Sequence, residues 1–197
     1  MSNEKRKEAL IKKISKIYKR GYLPSRKQKE YSQLFTKPVN CFGHACFNLS
    51  DRDLKQLEDY IPELDDYFRQ FGNCGVNNYF KIARDRIEQV GLQVEKSYLT
   101  EKLKFNQWRI AYYVYSGDEF YSSDLHFMIQ GKNGVWYSKR GRRPEIEKLD
   151  ELPEVYRDEY QLIGIYKITN PYAKPRKQKT TTKVAAKVKI EEKELEM

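Results

Sequence analysis

"DLHFMIQGKNGVWYSKRG", residues 124–141, reads as two strands joined at Lys132-Asn133-Gly134. In the first arm Leu125, Phe127 and Ile129 fall on one face, and His126, Met128 and Gln130 on the other. A three-residue loop with Gly134 in the left-handed region pairs Gly131 with Val135, Met128 with Ser138 and His126 with Arg140. That register puts Ser138 on the face of His126, diagonal to it. A two-residue loop would turn Ser138 to the opposite face. The hairpin thus decides both the sheet and the surroundings of His126.

Strand-like segments flank it. "WRIAYYVYS" (108–116) and "QLIGIYKIT" (161–169) are β-branched and aromatic, and the second has the look of a central strand. Upstream the period changes. "EKRKEALIKKISKIYK" (4–19) collects Leu10, Ile11, Ile14, Ile17 and Tyr18 on one helical side and lysines on the other, and Gly21 and Pro24 end it. Ser50 with Asp53 predicts a capped helix from about Asp51 to Tyr60, stopping before Pro62. "VNNYFKIARDRIEQVG" predicts another helix, ending at Gly91. Helices first and antiparallel strands afterwards is an α+β order, not alternating βαβ. The expected division is a basic helical extension over 1–37, an α+β domain over 38–171, and a Lys/Thr/Glu-rich tail over 172–197.

Charge follows that division. The 197-residue chain carries a net +10. Residues 1–40 hold twelve Lys/Arg and three acids, and residues 172–197 hold eight and four. The centre keeps eighteen and twenty-one, so it is mildly acidic and the basicity belongs to the ends. Such ends suit nucleic acid or an acidic partner, or serve only as solvated tails. Three cysteines do not make a disulfide framework. No secretory signal and no run of ~18 apolar residues is visible, so the expected setting is a reducing cytoplasm without a membrane.

Two of those cysteines and a histidine crowd into "NCFGHACFNL", residues 40–49. Cys41 opens a small-residue helical run after a proline-containing segment, and a thiolate is stabilised at a helix start. A thiol nucleophile needs a base, normally distant in sequence, and only His44 and His126 are present. Three readings of Cys41 stand open at this point: a nucleophile served by His126, a buried structural thiol, or a zinc ligand with His44, Cys46 and either Cys74 or His126. The zinc spacing matches no paired finger or ribbon. His126 in turn is either a base or a satisfied core histidine, with Asp124 as an alternative neighbour to Ser138. The cations of "SKRGRR" (138–143) suit either a solvated edge or an anionic contact.

The Asn40-Cys41 helix start, the Asp-x-His-Phe strand at 124–127, the Gly-containing hairpin and the Trp136-x-x-Lys139-x-Gly141 strand together resemble papain-like cysteine hydrolases of the NlpC type, in small domains of bacteria and their phages. The resemblance covers roughly residues 38–170. It implies a helix-borne Cys41 facing a four- to six-stranded antiparallel sheet that carries His126. It also implies amide or peptide hydrolysis without a cofactor or metal. Ser138 stands where such proteins often have a second histidine, and so becomes the third candidate. Asn40, as an aid to the oxyanion, and Trp136 are the candidate substrate contacts. A phage-encoded or virion-associated protein fits the same resemblance. The contrasting expectation is a non-enzymatic protein that keeps the hydrolase fold as a scaffold and binds nucleic acid or assembly partners through 1–37 and 172–197.

Overall fold

The structure, a computed structural model, describes residues 3–21, 40–48, 76–115, 124–141 and 145–175. Strand β2, Gln107–Tyr115, is buried from Gln107 through Val114. A strand without an exposed face needs cover on both sides. It lies inside an antiparallel sheet whose spatial order is β1 (Gln93–Lys96), β7 (Tyr160–Thr169), β2, β3 (Asp124–Gln130), β4 (Trp136–Lys139) and β5 (Ile146–Leu149). A two-residue strand, β6 (Val155–Tyr156), pairs with β7 as the seventh member. This is the α+β class expected, with more strands than "WRIAYYVYS", the hairpin and "QLIGIYKIT" supply. β1, β5 and β6 are too short and too polar to announce themselves in the sequence.

The hairpin follows the three-residue register. Met128 faces Ser138, Ile129 faces Tyr137 and Gln130 faces Trp136. Gly131 N–H bonds Val135 C=O at 2.8 Å and Gly134 sits at φ +85°, where a residue with a Cβ is strained.

The two faces of the sheet carry different cores. One takes Ile110, Tyr112, Val114, Phe127, Ile129 and Tyr137, and the helices lie over it. Helix α1, Asn3–Lys19, adds Leu10, Ile14, Ile17 and Tyr18 to that cluster, so its apolar side is core while Lys12, Lys16 and Lys19 are exposed. The single π-helical turn α2, Gly43–Phe47, adds Ala45, Cys46 and Phe47, and helix α3, Val76–Gln89, adds Ala83 and Ile87. The other face carries a smaller cluster of Ala111, Tyr113, Met128, Trp136 and Tyr156. The helix expected over 51–60 and the tail beyond 175 lie outside the described residues. Among those residues, no helix is long and apolar enough to cross a membrane.

Phe127 joins the turn to the sheet. Its ring lies 5.4 Å from that of Phe42 and 5.2 Å from that of Tyr112, and it is fully buried. Truncating a buried phenylalanine typically costs about 3–5 kcal/mol. Phe127→Ala is therefore expected to lower unfolding free energy by about that amount in urea titration, and a loss below about 1 kcal/mol would show that the turn and sheet are not joined through this ring.

Candidate active site

The cysteine-bearing segment begins with a cap. Asn40 Oδ1 accepts from Gly43 N–H at 2.9 Å, and the Asn40 carbonyl accepts from His44 N–H at 2.9 Å. The helical segment is short, because Asn48 turns left-handed at φ 43°. Two aromatic side chains then hold its far end. Trp108 Nε1–H donates to Ala45 C=O at 3.2 Å and the Tyr18 hydroxyl donates to Phe47 C=O, which satisfies carbonyls a helix end leaves open. Asn40 lines the neighbouring cleft, and its amide oxygen accepts the cap hydrogen bond.

Cys41 is 8% exposed, and its thiol points at the carbonyl of Leu125, with sulfur and oxygen 4.0 Å apart. The sulfur therefore reaches the peptide that joins Leu125 to His126. Cys41 and His126 both line one cleft of about 460 Å³ at the start of β3. They arrive from different sides. Cys41 belongs to the helical core, whereas His126 lies on the opposite face of the strand, beside Tyr113 and Met128. Cys46 is fully buried and burial pushes its thiol well up, with Cys41 adding to the effect. Cys74 lies outside the described residues.

His126 is held on two sides. Its Nε2 is 2.9 Å from Ser138 Oγ, as the diagonal register requires, and its ring stacks on Tyr156 with centroids 5.0 Å apart. Ser138 in turn donates to Tyr156 Oη at 2.9 Å. Asp124, the other neighbour considered for His126, instead accepts the Tyr160 hydroxyl at 2.6 Å. Burial, then the Asp124 carboxylate, push the Tyr160 phenol up, and Cys41 contributes to the same shift. Trp136 is 2% exposed inside the smaller core and is not among the residues lining the cleft.

Sequence reading missed Tyr156, Glu147 and Arg157. The Tyr156 hydroxyl donates to Glu147 Oε2 at 2.7 Å, and Arg157 bonds both, at 2.8 Å to Tyr156 Oη and 3.0 Å to Glu147 Oε2. Glu147 faces Ser138 across the β4–β5 ladder. The only signal for Glu147 is the short segment "EIEKL", residues 145–149, in which β5 falls.

Among the described residues, no three His, Cys, Asp or Glu side chains are grouped to hold a metal ion. Compared with protein-family models, curated proteins and solved structures, the chain matches none.

Burial lowers the His126 pKa from 6.5 to about 4; Asp124 and Glu147 oppose the shift and Arg157 assists it. The imidazole is therefore neutral at pH 7. Between pH 6.5 and 4 the unfolded chain binds a proton at this site that the folded chain does not, so stability rises with pH across that window. Acidification through it should remove up to about 3 kcal/mol of stability. His126→Gln should flatten that part of the pH–stability curve, read by denaturant unfolding at a series of pH values. Parallel curves for the two proteins would show that His126 titrates normally.

Proposed function

We propose that the cleft is the site of a cysteine-dependent acyl hydrolase acting on an amide or peptide bond, as the likeness to papain-like domains implies. The observation that carries this reading is that Cys41 and His126, from opposite faces of β3, both line one cleft, with Ser138 engaged at Nε2 so that Nδ1 is the ring nitrogen left for the thiol.

A buried neutral imidazole favours a general base over a standing thiolate–imidazolium pair. His126 Nδ1 accepts the Cys41 proton as sulfur attacks the substrate carbonyl. Collapse of the tetrahedral adduct breaks the carbon–nitrogen bond, and the amine leaves with the proton held on His126. The acyl group then rests on sulfur as a thioester. His126 deprotonates a water, hydroxide displaces the sulfur, and the acid product departs as Cys41 regains its proton. Two acids, Asp124 and Glu159, and two arginines, Arg140 and Arg157, also line the cleft, so a polar backbone fits it better than a lipid chain.

The reading is tested with p-nitrophenyl acetate, a small acyl donor that needs no specificity pocket. Acetyl transfer should occur on Cys41 and be absent from Cys46, as read by peptide mass spectrometry. His126→Ala should slow it about 10²–10⁴-fold, the usual contribution of a positioned acid–base group. Acetylation that ignores the loss of His126 would reduce Cys41 to an ordinary thiol.

A further inference from the structure

The hydrogen bonds behind Ser138 settle a question that an isolated serine leaves open. A hydroxyl can either donate to an imidazole nitrogen or accept from it, and the two choices give opposite tautomers. Here the order of donors is fixed from the far end. Glu147 Oε2 belongs to a carboxylate and only accepts. Burial opposes its charge, yet the hydrogen bonds from Tyr156 and Arg157 prevail and hold the carboxyl below its ordinary value. The single Tyr156 hydroxyl proton therefore goes to Glu147, at 2.7 Å. Arg157 Nε–H can only donate to Tyr156 Oη, at 2.8 Å. Tyr156 thus has no proton for Ser138 and must accept from it, at 2.9 Å. Ser138 has then spent its only proton, so at 2.9 Å from His126 Nε2 it accepts.

We infer that Ser138, Tyr156 and Glu147 form a directional relay that keeps the proton of His126 on Nε2 and leaves a bare lone pair on Nδ1. Its catalytic meaning rests on the thiol-hydrolase reading of the cleft, since Nδ1 is the nitrogen that reading assigns to Cys41. Glu147 is then a positioning residue, a carboxylate that acts on the imidazole through two hydroxyls. The relay makes up for a serine in the third position. Alone, Ser138 could rotate and allow either tautomer. Backed by Tyr156 and Glu147, it has one orientation. Arg157 serves the relay twice, as a second donor to Tyr156 and as the ion partner of Glu147 at 3.0 Å.

The test is the tautomer itself, read by long-range proton–nitrogen correlation on the full ¹⁵N-labelled chain at pH 7. The expected spectrum for His126 has a protonated Nε2 and an unprotonated Nδ1. Glu147→Ala leaves Tyr156 free to donate to Ser138, so Ser138 can turn its proton to the ring, and a sizeable Nδ1–H population should appear. Glu147 is part-exposed, so this variant keeps the core intact. Tyr156→Phe cuts the relay one step nearer and should give the same mixture. Acetylation of Cys41 by p-nitrophenyl acetate should fall about tenfold or more with the wrong tautomer. An Nδ1–H signal in the unaltered protein, or an unchanged tautomer in Glu147→Ala, overturns the relay. A correct tautomer that responds to Glu147→Ala while Cys41 acetylation stays indifferent leaves the relay standing and removes the hydrolase reading instead.

Discussion

Phe42 against Phe127 is the contact on which the arrangement depends. Phe42 follows Cys41 directly, and Phe127 follows His126 directly. Packing the two rings 5.4 Å apart brings both neighbours to the same end of β3. Phe47 closes on Phe42 edge to face, with centroids 5.3 Å apart, so the turn is braced from its far end too. Edge-to-face and tilted ring pairs add about 0.5–1.5 kcal/mol each beyond simple burial. Hydrogen bonds from Trp108 and Tyr18 then fix how far the turn can rotate. A segment of so few helical residues would not hold its shape unaided, because isolated short helices are marginal in water.

Around that contact the protein divides its labour by strand face. The odd-numbered residues of β3 build the core beneath the helices, and on the other side the polar Asp124, His126 and Gln130 alternate about Met128, which packs in the smaller cluster. His126 can be buried at 5% exposure because every group around it has a defined partner: Ser138 at Nε2, Tyr156 on the ring face, and Asp124 occupied by Tyr160. Burial costs the charged form and keeps the imidazole neutral, which suits a base and would not suit a permanent ion pair.

Much of this was legible in the sequence where local rules apply. Gly134 and the loop length fixed the hairpin register, and the register placed Ser138 beside His126. The apolar spacing in 4–19 marked the buried side of α1, although not that this helix shares its core with the sheet. The cap made by Asn40 was also legible, since asparagine before a helix is a preferred cap. What stayed hidden depends on tertiary pairing. Glu147 comes opposite Ser138 only through β5, four residues with little hydrophobic signature. Tyr156 reaches the site through a two-residue strand and a turn in which Arg157 and Asp158 both have positive φ. Asp158 is the only usual turn former there, and Arg157 beside it gives no such signal.

The proposal at the centre is that the Cys41 sulfur reaches the His126 ring through the cleft that both residues line. A short bifunctional alkylating reagent, 1,3-dibromoacetone, tests it directly, since it reacts first with a thiol and then with any nucleophile within its three-carbon reach. Peptide mass spectrometry of the treated protein should find residue 41 bridged to residue 126. Cys41 alkylated but left unbridged, or bridged to another side chain, would contradict the account.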